Sequence, residues 1–152
     1  MLNKNLSVEI GGKMDNQQNK VNHLQMIQSV IDRMGKNSFS LKGWAVGAMV
    51  AIYAFAGQNY NKAVIVTLIP LIIFWILDSY YLMLERKYRG LYDEVRKKDN
   101  NKIDFDMNFN NITLKMNEIK KFEYIRNVFS KTECPFYVVC SVVTVIIYFF
   151  RF

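Results

Sequence analysis

One carboxylate lies inside a long apolar stretch of the sequence. Asp78 is the single charged residue in 63–84. A carboxylate near the centre of a membrane span costs about 2.5 to 3.5 kcal/mol on insertion scales, so it normally faces protein or water and marks a functional site. Asp78 lies toward one end of its stretch, which leaves two alternatives open. It either forms a structural pair with a cation such as Lys42 or acts in a pore or gate.

A stripe of hydroxyl groups follows the last apolar stretch at helical spacing. It consists of Tyr137, Ser141, Thr144 and Tyr148. In lipid, such hydroxyls can bond back to the backbone of their own helix. They can also form a mildly polar face beside a water-filled path, which three spans cannot enclose without forming an oligomer. Asp78 and this stripe are therefore the candidate pore or gate residues.

A third group of candidate residues is cationic. Lys and Arg, with Tyr and Phe between them, cluster between the second and third apolar stretches. Cations nearest a membrane typically determine topology and contact lipid, at about 1 kcal/mol each. The farther ones, beside aromatic rings, would suit a nucleotide or a single-stranded nucleic acid. The candidate ligand-binding residues are Arg86, Arg89, Arg96, Lys97, Lys98, Lys102, Lys115, Lys120, Lys121 and Arg126.

The sequence contains no pattern typical of an enzyme. The single histidine, His23, falls on the polar side of a predicted helix, and neither a Gly-rich phosphate loop nor a Ser nucleophile motif is present. Cys134 and Cys140 have no further Cys or His cluster with which to form a metal site, so we interpret them as packing residues. We expect no enzymatic activity, no metal and no cofactor.

Three apolar blocks must position these residues. The first two, 39–57 and 63–84, are each long enough to cross a bilayer core of about 30 Å. Five residues separate them, so we predict two antiparallel helices. The third block, 135–150, is shorter but carries no charge. Buried core is the alternative for this block, but we predict a third transmembrane helix because no other element is large enough to cover it.

The distribution of positive charge predicts the orientation. Of the 20 Lys and Arg residues, 18 lie before the first span, counting Lys42 at its boundary, or in 85–134, and two lie in the short connection and after the last span. Positive charges remain on the cytoplasmic side. We therefore predict a multi-pass protein of the bacterial inner membrane, with the N-terminus in the cytoplasm and the C-terminus outside. No signal-peptide pattern precedes the spans, so insertion should depend on the spans themselves.

The polar segments have their own patterns. We expect 1–14 to be a flexible leader, and the apolar periodicity of 15–38 predicts a cytoplasmic amphipathic helix that ends or kinks near Gly35. The basic cytoplasmic region, 85–134, should continue the second helix as far as a break at 99–101. Alternation in 103–116 fits either a short β-hairpin or an extended strap lying on neighbouring helices. A last amphipathic helix is predicted from Asn117 to Lys131.

Small residues recur along the first span. They are Gly43, Gly47, Ala51 and Ala54. This spacing lets another helix approach closely, and that helix belongs either to the second span of the same chain or to another subunit.

Several segments together carry a resemblance to known proteins. They are Asn22 to Met34, Asn37 to Trp44, Phe74 to Tyr81, Glu85-Arg86, Leu91-Tyr92 and Phe129 to Thr132. The chain resembles a family of small bacterial membrane proteins that includes the channel-like effectors of Hailong antiphage defence systems. The resemblance implies a homo-oligomer, with a tetramer favoured, whose pore depolarises an infected cell. It also implies control by a single-stranded DNA oligomer or a nucleotide messenger from a partner nucleotidyltransferase.

The sequence as a whole predicts an all-α membrane protein embedded in the lipid bilayer. Our leading hypothesis is an oligomeric effector that forms a ligand-gated ion channel or pore, with its basic cytoplasmic region sensing an anionic ligand. The alternative is a structural or regulatory membrane protein without a pore that binds anionic lipid or a partner protein. A transporter is less favoured because the three spans show no internal repeat.

Overall fold

The computed structural model describes residues 2–56, 60–109, 128, 130 and 133–150, and for 2–11, 13 and 60–62 it describes the backbone alone. The described residues form three α-helices: α1 is Leu2–Phe55, α2 is Tyr60–Lys97 and α3 is Cys134–Phe150. A 3₁₀ turn, Asn100–Lys102, follows α2. No strand occurs among these residues, so the described part of the protein is all-helical.

Helix α1 begins earlier and runs further than the sequence pattern predicts. We expected a flexible leader over 1–14 and an end or kink near Gly35, but helix continues from Leu2 to Phe55. A glycine costs a helix only about 1 kcal/mol relative to alanine. Good helix formers lie beside the glycines of this segment: Met34 and Lys36 flank Gly35, and Lys13 and Met14 follow Gly11 and Gly12. The glycines therefore lie inside one helix and do not end it.

The ends of the other two helices agree with the predictions. Helix α2 ends at Lys97, directly before the predicted break at 99–101. Helix α3 covers the predicted third apolar block, and Pro135 lies in its first turn, where a missing N–H costs nothing. Pro70 lies inside α2.

Two helical stretches, Met14–Phe55 and Ala63–Lys97, are long and apolar enough to cross a membrane, and Cys134–Phe150 is a shorter apolar helix. Many large apolar side chains on these helices remain exposed to the surroundings. Ile69 is 58% exposed and Val139 is 60% exposed. Contiguous exposed apolar surface of this kind is typical of contact with lipid or with another protein.

The chain divides into two compact units, which we name by their composition. The apolar unit comprises 34–84 and 118–152. Its core joins all three helices: Ala45 and Met49 from α1, Leu71 from α2, and Tyr137 and Cys140 from α3. Phe74, Trp75 and Phe136 pack against this core.

The polar unit comprises 1–33 and 85–117. Its core consists of Ile27 and Ile31 from α1 with Leu91 and Val95 from α2. The segment 99–109, which we call the strap, closes this core by adding Ile103 and Met107.

The conformation of this segment bears on the choice between a β-hairpin and an extended strap for 103–116. Residues 103–108 have no regular secondary structure, which favours an extended strap over a β-hairpin for this half of 103–116. The other half, 110–116, lies outside the described residues. So does most of the predicted helix from Asn117 to Lys131.

Candidate functional site

Four charged or hydroxyl-bearing side chains meet inside the apolar unit, and we call them the Lys42 cluster. The ammonium nitrogen of Lys42 lies 2.6 Å from Asp78 Oδ2 and 2.6 Å from Glu133 Oε2. Tyr137 donates a hydrogen bond to the same Asp78 Oδ2, with 3.1 Å between the oxygens. All three helices therefore converge on one charged site, with Glu133 in the turn that leads into α3.

The Lys42 cluster is almost completely withdrawn from the surroundings. Asp78 and Tyr137 have no exposed surface and Glu133 is 2% exposed, whereas the Lys42 side chain is 21% exposed. Buried charges are stable in protein only when they are paired and hydrogen-bonded. Here Lys42 also donates a hydrogen bond to Ser38, at 2.9 Å. The pairing of Asp78 with Lys42, one of the two alternatives from the sequence, is present.

The ionisation of Glu133 is shifted by its surroundings. Burial, and next the neighbouring Asp78 carboxyl, raise the pKa of Glu133, whereas Lys42 opposes the shift, and the resulting pKa is about 7. A carboxylic acid with such a pKa exchanges its proton close to neutral pH. Sequence analysis missed Glu133, which lies just before the third apolar block.

Trp75 orients the tyrosine of the cluster. Its ring stacks on Tyr137 with 5.7 Å between centroids and 12° between planes. Its Nε1–H donates a hydrogen bond to the backbone oxygen of Val128, at 3.0 Å. This indole thus connects α2 both to the backbone at Val128 and to α3.

Two hydroxyl groups of the stripe on α3 donate hydrogen bonds to the backbone of their own helix. Ser141 donates to the backbone oxygen of Tyr137 at 2.8 Å, and Thr144 donates to that of Cys140 at 2.9 Å. Tyr137 and Thr144 are buried within the chain, whereas Tyr148 is exposed. In a single copy, therefore, the four hydroxyls do not form one continuous exposed face.

The polar unit contains a basic cleft of about 740 Å³ at the end of α2. It is lined by Gln17, Lys20 and residues 97–102. Lys20 donates a hydrogen bond to the backbone oxygen of Lys98, at 2.7 Å. A cation in this position stabilises the carbonyl end of a helix. Sequence analysis identified Lys97, Lys98 and Lys102 but not Lys20, whose partner lies 78 residues further along the chain.

Several of the predicted ligand-binding cations already have acidic partners. Each pair joins residues close in sequence: Arg89 with Glu85 at 2.8 Å, Arg96 with Asp93 at 3.4 Å, Lys98 with Asp104 at 2.9 Å, and Lys102 with Asp99 at 3.3 Å. Arg86 and Lys97 are exposed on α2. The remaining candidates, Lys115, Lys120, Lys121 and Arg126, lie outside the described residues.

The predicted placement of His23 on a polar surface is wrong. His23 has no exposed surface, because the strap covers it. Its Nε2 lies 3.1 Å from the backbone oxygen of Asp106, and its ring lies 5.4 Å from that of Phe105. Phe105 has a φ of 53°, a left-handed conformation that is strained for an aromatic residue. The covering residues come some 80 positions later, so helical periodicity alone does not reveal the burial.

The small-residue face of α1 is open in a single copy. Gly43 and Gly47 are exposed, and a Cβ atom added to either would meet no atom within 4 Å among the described residues. The second span of the same chain therefore does not pack closely there. Another subunit, the other partner that the sequence allows, stays a prediction.

Neither metal-binding groups nor similarity to known proteins assigns a function to these residues. Within the described ranges, no three His, Cys, Asp or Glu side chains form a group that could hold a metal ion. Comparison of the chain with protein-family models, curated proteins and solved structures finds no match. The functional argument therefore depends on the geometry described above.

Proposed function

We propose that the protein is an oligomeric membrane effector that forms a ligand-gated ion channel or pore. In this proposal the apolar unit and its counterparts in other subunits surround the ion path, and the polar unit is the cytoplasmic receptor. The setting is the bacterial inner membrane, and the role is antiphage defence by depolarisation of the infected cell. A single-stranded oligonucleotide or a nucleotide messenger is the controlling ligand.

The observation that carries the proposal is the Lys42 cluster. Ionisable groups inside membrane segments are costly, and they usually face a bundle interior or a water-filled cavity. Lys42, Asp78 and Glu133 lie among helices whose other faces present apolar side chains. Three helices cannot enclose a pore. The open small-residue face of α1 supplies a surface for contact between subunits.

Ion flux through the purified protein in liposomes tests the proposal directly. We expect flux above that of empty vesicles, and we expect Asp78→Asn to change its rate because the charge near the path is altered. Asp93→Asn is the matched control, since Asp93 is an exposed acid on the same helix. Correctly inserted protein that conducts no better than empty vesicles, with and without oligonucleotide, would contradict a channel.

Ligand binding requires a separate measurement. Oligonucleotide affinity should fall steeply with salt, because cations that bind phosphates release counterions. Neutralising Lys97, Lys98 and Lys120 to Gln should lower the log–log salt slope by about 2, at about 0.7 per single-strand phosphate contact. The control neutralises Lys36, Lys62 and Arg151, which removes the same charge elsewhere. Equal effects of the two triple variants would exclude the proposed receptor surface.

The carboxylates that pair with the predicted ligand-binding cations favour a second candidate function. Arg89, Arg96, Lys98 and Lys102 each pair with a nearby carboxylate, which reduces the positive charge that they offer to phosphates. A regulatory membrane protein without a pore, which binds anionic lipid or a partner protein, would not need a strong phosphate site. Absence of flux together with binding to anionic vesicles, but not to oligonucleotide, would support this alternative.

A further inference from the structure

The Lys42 cluster contains more acid than base. Two carboxyl groups, those of Asp78 and Glu133, approach the same ammonium nitrogen of Lys42 at 2.6 Å each. With all three groups ionised, the cluster would carry one uncompensated negative charge in a buried site. Uncompensated buried charge costs several kcal/mol, and groups in this situation usually bind a proton instead. Two carboxyl groups that share a site seldom ionise together.

The hydrogen bonds indicate which carboxyl group carries the proton. Asp78 Oδ2 is contacted by two donors, the ammonium of Lys42 and the hydroxyl of Tyr137. Donated hydrogen bonds favour the ionised form of a carboxylate. Glu133 shares Lys42 with Asp78, and Tyr137 donates to Asp78. The better-stabilised anion is therefore Asp78, and Glu133 is the better site for the proton.

We propose that the Lys42 cluster is a proton-binding site, in which Glu133 takes up a proton from solvent and thereby changes how the start of α3 is held to α1 and α2. Among the described residues, the charged and titratable groups that face Glu133 are Lys42 from α1, Asp78 from α2 and Tyr137 from α3. With its proton, Glu133 donates a hydrogen bond to Asp78, and Lys42 neutralises Asp78. Without the proton, Glu133 repels Asp78 and competes with it for Lys42.

Two further observations agree with exchange near neutral pH. Burial and the Asp78 carboxyl together raise the pKa of Glu133 to about 7. The Lys42 side chain is 21% exposed, so one member of the cluster reaches the surroundings and provides a route for the proton. The proton passes between solvent water and the Glu133 carboxylate, and no other reactant is needed.

The test is a pH titration of glutamate side-chain carboxyl carbons by nuclear magnetic resonance, using the isotope-labelled full-length protein in detergent micelles. The sequence has six glutamates, and the resonance lost in Glu133→Gln assigns Glu133. We expect its midpoint at about pH 7, whereas glutamates exposed to water titrate at about 4.3. A midpoint for Glu133 at the ordinary value would overturn the proposal. The titration needs no ion flux, so its result is independent of whether the protein is a channel.

A second variant distinguishes the effect of the Asp78 charge on the pKa of Glu133 from the effect of burial. Asp78→Asn removes the neighbouring negative charge but keeps the side-chain shape, so the Glu133 midpoint should move to lower pH. Glu94→Gln, at an exposed position of α2, is the matched control and should leave the midpoint unchanged. A midpoint that Asp78→Asn does not move would show that the carboxyl groups do not share a proton site. It would therefore overturn the proposal even with a raised pKa.

Discussion

The hydroxyl of Tyr137 donates a hydrogen bond to the carboxylate of Asp78, a residue 59 positions earlier in the sequence. The contact joins α3 to α2, and the same carboxylate oxygen contacts Lys42 of α1. One oxygen atom thus links the three helices of the apolar unit. Changes at this point should have effects that are large compared with those at exposed ion pairs.

Replacing Lys42 with Met should strongly destabilise the protein. The change leaves Asp78 and Glu133 buried without their cation, and breaking a buried pair in this way costs about 3 to 5 kcal/mol. Arg96→Met is the matched control, because Arg96 pairs with Asp93, both side chains are exposed, and such a pair contributes at most about 1 kcal/mol. Unfolding in detergent, followed by circular dichroism, measures both. Equal, small effects would show that Lys42 does not neutralise a buried site.

The free energy of unfolding should fall as pH rises from about 5 to about 7. Native Glu133, with a pKa of about 7, holds a proton over this range, whereas in the unfolded chain its pKa is about 4.3. The native state therefore binds more protons, and stability decreases with pH until Glu133 is ionised in both states. Melting temperatures measured across the range in one detergent provide the check.

Two variants identify the source of that pH dependence. Glu133→Gln cannot ionise, so its stability should change less between pH 5 and 7 than that of the wild type. Glu94→Gln, an exposed change on α2, should keep the wild-type slope. A wild-type slope that persists in Glu133→Gln would assign the dependence to another group.

Replacing His23 with Phe should loosen the strap. Phe keeps a ring in the buried position but loses the hydrogen bond to the Asp106 backbone, which contributes about 1 kcal/mol. Hydrogen exchange at residues 103–108 should become faster. Gln18→Ala removes an exposed hydrogen bond to Asn22 from the same helix and is the control. Unchanged exchange in His23→Phe would mean that the apolar contacts of the strap are sufficient to hold it.

Replacing Gly47 with Leu should affect the folding of one subunit and the assembly of several subunits in opposite directions. Open space surrounds Gly47 in a single copy, so a larger side chain fits there, and leaving glycine should stabilise the helix by up to about 1 kcal/mol. In the proposed oligomer the same side chain would hold a neighbouring helix away. Native mass spectrometry should show smaller assemblies for Gly47→Leu than for Gly47→Ala. Identical assemblies would place this face outside the subunit contact.

The sequence predicted those features that depend on local pattern. The apolar stretches that lie within α2 and α3 follow from nearly uninterrupted hydrophobicity, and the end of α2 follows from the polar residues at 99–101. The pairing of Lys42 with Asp78 was an available alternative because a buried carboxylate needs a cation close by. Each of these inferences uses residues in one segment or two adjacent ones.

The features that sequence analysis missed depend on contacts between distant segments. His23 was assigned to a polar face because its cover, Phe105 and Asp106, belongs to a different part of the chain. Glu133 lies outside the apolar blocks, although an acid directly before a membrane helix is a usable signal. Helix at 2–14 was not predicted because a polar segment with Gly11 and Gly12 favours a flexible leader when read locally, whereas α1 continues through both glycines.

Pro70 has a mechanical consequence for α2. A proline inside a helix supplies no amide hydrogen to the carbonyl four residues earlier, which here belongs to Val66. This turn of the helix therefore has one backbone hydrogen bond fewer than the other turns. Any bending of α2 would therefore concentrate at this turn, between the part that carries Ala63 and Thr67 and the part that carries Leu71 and Asp78.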